Sequence, residues 1–77
     1  MIEVKIVKFE NPAKESIQQI RHTVFTVEQG VSPEIEIDGK DHDAIHALIY
    51  SNGLAVGTGR ILKDGHIGRI AVLKEYR

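Results

Sequence analysis

The chain has 77 residues, no cysteine, and ten basic against eleven acidic side chains for a net charge of -1. One domain with a thin core is the most this length allows, since chains of this size hide only roughly 60 to 65 % of the surface they expose unfolded. The composition excludes a disulfide scaffold and a thiolate zinc site. It also offers no basic excess and no Trp for nucleic acid, and no apolar run of membrane length.

From the amino terminus, Ile2 to Phe9 alternates apolar Ile2, Val4 and Ile6 with charged Glu3 and Lys5, then slips phase to Val7 and Phe9, predicting a half-buried strand bulged near Ile6. Its opening, Met-Ile-Glu-Val-Lys, lacks the layout of a secretory signal, so the chain reads as a soluble protein suited to a reducing cytoplasm. Asn11-Pro12 fits a helix start, with Asn11 as N-cap and Pro12 in the first helical position. The helix is expected to run to about Gln29, with Ile17, Ile20, Val24 and Val27 as its apolar stripe and Gly30 closing it in the left-handed conformation. The β-branched cluster from Thr23 to Val27 weakens its last turns.

Val31 to Ala44 is polar, acidic and punctuated by Pro33 and Gly39, and reads as a loop with at most one short helix. Three strands follow, separated by Ser-Asn-Gly at 51–53 and Lys-Asp-Gly at 63–65. These hairpin signals predict a meander, because Asn-Gly and Asp-Gly tolerate positive φ at both central positions. On simple alternation His66, Gly68, Ile70 and Val72 share one face of the last strand, and Ile67, Arg69, Ala71 and Leu73 the other. Both faces carry aliphatic side chains, the pattern of an interior strand covered on both sides. One helix covers one face only, so further cover and another neighbouring strand are expected from outside these residues.

Asp38, Asp41, His42, Asp43 and His46 form the densest set of possible metal ligands. An EF-hand count from Asp38 puts Ile49 where the twelfth-position glutamate belongs, and His46 opens a strand rather than sharing a helix with His42. The expectation is a solvated, capping loop and no metal site. Gly57-Thr58-Gly59-Arg60-Ile61-Leu62 has leucine in place of the third glycine of a dinucleotide fingerprint and lies within a strand, which rejects that reading. Two glycines in one strand point instead to a bulge or a close approach. Ser16, Ser32 and Ser51 lack a nucleophile context. His66, at the start of the last strand, is the one histidine placed to act as a base on something bound along that strand.

VFTVEQGVSPEIEID, HALIYSNGLAVGTGRIL and GRIAVLKEYR, in that order, resemble the amino-terminal half of a GNAT-superfamily, acetyl-coenzyme A-dependent N-acetyltransferase. The nearest likeness is to small bacterial acyltransferases with a Val-Phe-x-x-Glu-Gln-Gly segment after the first helix. It implies an α+β fold with a mostly antiparallel four-stranded sheet (β-α-β-β-β) and one main helix, the amino-terminal half of an acyl-CoA N-acyltransferase fold. Residues 1–77 would form a single partial domain. Arg77 matches the first residue of the family's Arg/Gln-x-x-Gly-x-Gly/Ala loop, so the chain is expected to stop before the pyrophosphate-binding loop, which would use backbone N–H groups and a helix N-terminus.

The resemblance further implies that Ile70, Ala71, Val72 and Arg77 contact acetyl-CoA. Main-chain groups of Ile70 and Val72 would bond the pantetheine arm, and the Ile70 N–H would polarise the acetyl carbonyl. Phe25, Glu28, Gln29 and Arg60 would line the approach of a small-molecule or peptide amine, with His66 near the position of the family's catalytic carboxylate. The expected activity is acetyl transfer to a primary amine, and the 77 residues alone are expected to lack it. The rival reading is a non-catalytic α+β module forming a homodimer through its last strand. A complementing carboxy-terminal half is the other expected partner.

Overall fold

The computed structural model describes residues 1–32 and 39–77. Four strands, β1 (Ile2–Val7), β2 (Ile45–Ser51), β3 (Leu54–Ile61) and β4 (Ile67–Val72), form one antiparallel sheet in the order β1-β2-β3-β4. A helix, α1 (Ala13–Arg21), packs on one face and continues into a π-helical segment, His22–Glu28. A short 3₁₀ turn, Asp41–Asp43, leads into β2, and another, Lys74–Tyr76, follows β4. This is the expected α+β meander. Of the acidic loop, Pro33 to Asp38 lie outside the described residues. Among the described residues no helix is long and apolar enough to cross a membrane.

The stripe Ile17, Ile20 and Val24 meets Phe9, Leu48 and Ala71 in one buried cluster, with Val7, Phe25, Tyr50 and Leu73 packed around it. Burying a Val, Leu, Ile or Phe side chain contributes roughly 1.5–3 kcal/mol, so the five larger residues of this cluster carry most of the apolar stabilisation on this face. The winding differs from the single α-helix expected. Where the β-branched residues crowd one another, the Thr23 hydroxyl donates back to the Gln19 carbonyl at 3.0 Å, a bond that competes with regular winding. The helix widens there, and Val27 leaves the stripe, 69 % exposed. Gly30 closes the segment at φ 74°, as expected. The start also differs. Pro12 takes the cap position with no side-chain hydrogen bond, after a cis Asn11-Pro12 bond, and Asn11 does not cap.

β1 runs in unbroken register from Ile2 opposite Ser51 to Val7 opposite His46, without the bulge expected near Ile6. Phe9 reaches the core because the chain turns in after Val7, whereas Ile2, Val4 and Ile6 are at least 60 % exposed. The bulges lie elsewhere. Val56 is the extra residue between the pairs Ile49–Gly57 and Tyr50–Ala55. In β4, two residues, Arg69 and Ile70, stand opposite the single Gly59, and Arg69 has φ 50°.

The second bulge corrects the expected facing of the last strand. Ile67 lies opposite Ile61, Ile70 lies 3.7 Å from where a Gly59 Cβ would stand, and Val72 lies opposite Gly57, so these three share one face. Gly68 and Ala71 share the helix-covered face, opposite Arg60 and Thr58. His66 and Ile70 therefore do not share a side. With Ile45 and Ile61, the exposed Ile67 and Ile70 extend the uncovered apolar face begun by β1. β4 is an edge strand here, paired only with β3 among the described residues.

Leu48 has 0 % exposure at the centre of β2. Leu48→Ala is expected to destabilise by about 2–5 kcal/mol, enough to remove the cooperative transition in a domain whose total is about 3–5 kcal/mol. Urea unfolding followed by circular dichroism checks this; a midpoint unchanged from that of the parent chain contradicts the core assignment.

Candidate functional site

Two polar arrangements stand out, one buried under α1 and one on the outer edge of β4. In the first, Arg21 follows Ile20 on the buried stripe of α1, so folding places a guanidinium where an aliphatic group would otherwise sit. Its Nη1 donates to both carboxylate oxygens of Asp41 at 2.9 Å, and Arg60 Nη1 from β3 donates to one of them at 3.2 Å. All three residues are buried. The Asp41 main-chain carbonyl accepts from His46 Nε2 at 3.0 Å. A carbonyl only accepts, so Nε2 carries the proton. The Phe9 ring fills the remaining space against His42 and His46, with centroids 5.3 and 5.2 Å away.

This network accounts for several candidates. Asp41 spends its carboxylate on two arginines, and among the described residues no three metal-ligating side chains converge. Arg60, expected on the amine-side wall, is held in the ion pair on the helix-covered face. Thr58 beside it donates to the Ala47 carbonyl at 2.9 Å. The role of Arg21 was not among the expectations, although its sequence position signalled it: at Ile17 plus four and Val24 minus three, a charge on the apolar stripe requires a buried counter-charge.

The second arrangement follows from the ladder. The Leu73 N–H donates to the Val56 carbonyl at 2.8 Å. Residues of an antiparallel pair alternate between those that bond across the ladder and those that do not, so Ile70 and Val72 turn their main-chain groups to the outer edge. There the Val72 carbonyl accepts from Arg77 Nε at 2.9 Å, and Arg77 Nη2 donates to Glu28 at 2.7 Å. Gly57 lies behind this stretch because a Cβ there would come within 3.2 Å of Ile49 Cδ1 and 3.3 Å of the Ala71 carbonyl oxygen.

The structure thus brings together Glu28, Val72 and Arg77, with Ile70 on the same edge and Ala71 buried between them. Phe25 packs partly against the core and Gln29 is exposed at the end of the π-helical segment. His66 stands apart in the second hairpin, about 13 Å along the strand from Ile70. It is exposed, its Nδ1 2.8 Å from Asp64. The His66 backbone N–H donates to the Asp64 carboxylate at 3.0 Å, and this bond, followed by that of the His66 ring, holds the Asp64 carboxyl below its usual range.

No family model matches the chain. Similar proteins do exist. An uncharacterized N-acetyltransferase of Bacillus subtilis, YjcF, is 39 % identical over 75 residues, covering 94 % of this chain and 53 % of that protein. Among solved structures, Escherichia coli ElaA is 33 % identical with a TM-score of 0.82, covering all of this chain and 59 % of its own. An acyl-CoA N-acyltransferase from Pseudomonas aeruginosa has a TM-score of 0.87 at 24 % identity, again over all of this chain and 59 % of its own. The chain spans about half the length of the relatives it matches. Its sheet and helix are those of the acyl-CoA N-acyltransferase fold over about half that fold's extent. The relatives it matches are named as N-acetyltransferases, and the solved structures share their fold with it.

Asp41→Asn leaves two buried guanidinium groups without their shared charge and is expected to destabilise by about 3–5 kcal/mol. Asp43→Asn, at an exposed position 3.9 Å from the exposed Lys63 amine, is expected to stay within about 0.5 kcal/mol of the parent. Chemical denaturation of both variants checks the contrast, and equal effects would show that the Asp41 pairing carries no particular weight.

Proposed function

We propose that these residues form the acyl-donor half of an N-acetyltransferase site, in which the outer edge of β4 receives the pantetheine arm of acetyl-CoA. The observation that carries this reading is the direction of the Ile70 and Val72 main-chain groups on an edge that no other strand of the described residues occupies. An extended amide-bearing arm can bond such an edge as a further strand would. The bulge at Arg69 supports it, because bulges of this kind re-aim the groups beside them.

In the proposed reaction the neutral amine of a small molecule or peptide attacks the thioester carbonyl. A C–N bond forms, and the carbonyl oxygen takes up negative charge opposite the Ile70 N–H. Collapse breaks the C–S bond, and the proton lost from the attacking nitrogen passes through water to the leaving thiolate. Phe25, Glu28 and Gln29 form the wall on the amine side in this scheme. Arg60 contributes from beneath, by fixing β3 through Asp41 rather than by touching substrate. A base role for His66 is proposed only through water, given its distance from Ile70 along the strand. Arg77 is proposed to meet the diphosphate, and the 77 residues by themselves are proposed to bind acetyl-CoA weakly and not to turn it over. The lack of cysteine suits action in a reducing cytoplasm.

The second reading, association through the last strand or with a complementing half, draws on the exposed Ile67 and Ile70 beside an edge without a neighbouring strand among the described residues. Hydrogen exchange separates the two. Slowing of the outward-facing Ile70 and Val72 amides on adding acetyl-CoA, independent of protein concentration, is the expected outcome. Slowing that follows protein concentration and ignores ligand overturns the cofactor reading in favour of a dimer, with sedimentation as the independent check.

A further inference from the structure

We infer that Glu28 is a positioning residue for this edge, acting through Arg77 to set how readily the edge accepts an acyl-coenzyme A; the inference rests on the cofactor reading above. The guanidinium of Arg77 makes two directional contacts. Nε donates to the Val72 carbonyl at 2.9 Å, and Nη2 donates to the Glu28 carboxylate at 2.7 Å. The strap therefore occupies the same main-chain acceptor that an incoming amide-bearing arm would use. Glu28 is the better buried partner, its side chain 23 % exposed against 45 % for Arg77. It is fixed at the end of the π-helical segment, which contributes no other acidic residue.

Binding then becomes an exchange. The arm takes the Val72 carbonyl, Arg77 gives up both contacts, and its charge is offered to the ligand's diphosphate in place of Glu28. The two anions compete for one cation, so Glu28 weakens binding of a diphosphate-bearing ligand while the strap is closed. Its carboxylate is released toward the amine side only when the donor is seated, which couples the two substrates by charge alone. Arginine suits this because its planar fork reaches two acceptors at once, which a lysine ammonium on a single flexible stem does less well.

The experiment is calorimetric titration of coenzyme A into the full 77-residue chain and its Glu28→Gln, Arg77→Lys, Arg77→Gln and Glu28→Gln/Arg77→Gln variants, with pantetheine as the probe lacking diphosphate. Glu28→Gln is expected to tighten coenzyme A binding about two- to fivefold, the range for a partly exposed ion pair. In the Arg77→Gln background the same change is expected to have a clearly smaller effect. Arg77→Lys keeps the charge but loosens the strap, and is expected to bind coenzyme A at least as well as the parent. Equal gains from Glu28→Gln in both backgrounds would reduce Glu28 to a general repulsion and overturn the strap. So would weaker binding by Glu28→Gln. If pantetheine and coenzyme A leave every variant unchanged, the cofactor reading itself fails. If the parent binds and only the coupling is missing, the strap alone fails.

Discussion

Everything above the sheet depends on one buried carboxylate. Asp41 accepts from Arg21 on α1 and from Arg60 on β3, while its main-chain carbonyl accepts from His46 on β2. One residue of a short 3₁₀ turn thus ties the helix to two strands. A buried ion pair adds little net stability over an apolar group of the same shape, because desolvation offsets the attraction. Its effect is on geometry. Ridges of Ile and Val can slide past one another at small energetic loss, but a guanidinium shifted by one residue would leave two buried charges unmatched.

That constraint propagates to the edge of the sheet. With Arg21 fixed, the following seven residues start from a set direction, and their wider π winding carries Glu28 to within 2.7 Å of Arg77 beside Val72. π-helical turns are uncommon and favour functional sites. Here the cause is visible in the chain: Thr23, Val24, Thr26 and Val27 crowd successive turns, and Thr23 diverts a carbonyl at Gln19. The same winding that moves Val27 out of the core delivers the acid. A regular α-helix of this length would have kept the stripe and pointed the acid elsewhere.

The parts legible in the chain are those set by local chemistry. Asn52 and Gly53 both adopt positive φ in the first hairpin, as the Asn-Gly pair indicates. In the second hairpin only Gly65 does, because the loop closes over three residues, with Leu62 accepting from Gly65 and donating to His66. The apolar stripe of α1 could be read from periodicity and the meander of the last three strands from their turns, and the candidates Glu28, Val72 and Arg77 do come together. What escaped was phase and pairing. A residue at positive φ that is not glycine, such as Arg69, leaves no mark in composition, and its bulge reversed the facing of everything beyond it. The resemblance places Arg60 on the amine-side wall, whereas its partner lies nineteen residues earlier in a turn. The charge at Arg21, on a stripe of isoleucine and valine, was the available clue to that pairing.

The bulge also separates two tasks that one strand must perform together. Side chains of β4 point above and below the sheet, while its main-chain N–H and C=O groups point along the sheet, toward β3 or outward. The strand can therefore carry aliphatic side chains at Ile67, Ile70 and Val72 on its open face without touching the polar groups of the outer edge. Those groups need no special side chain to be donors and acceptors, only a strand that stays extended and unpaired on that side. Ala71, 2 % exposed against the helix, holds the strand from below, and Gly57 lets Ile49 and the Ala71 carbonyl close in from behind. Arg69 supplies the extra residue that turns Ile70 to the open face while Ala71 keeps its place in the core. A strand of ordinary aliphatic residues can in this way present directed main-chain donors and acceptors along its outer edge, set by residue order and backbone conformation rather than by polar side chains.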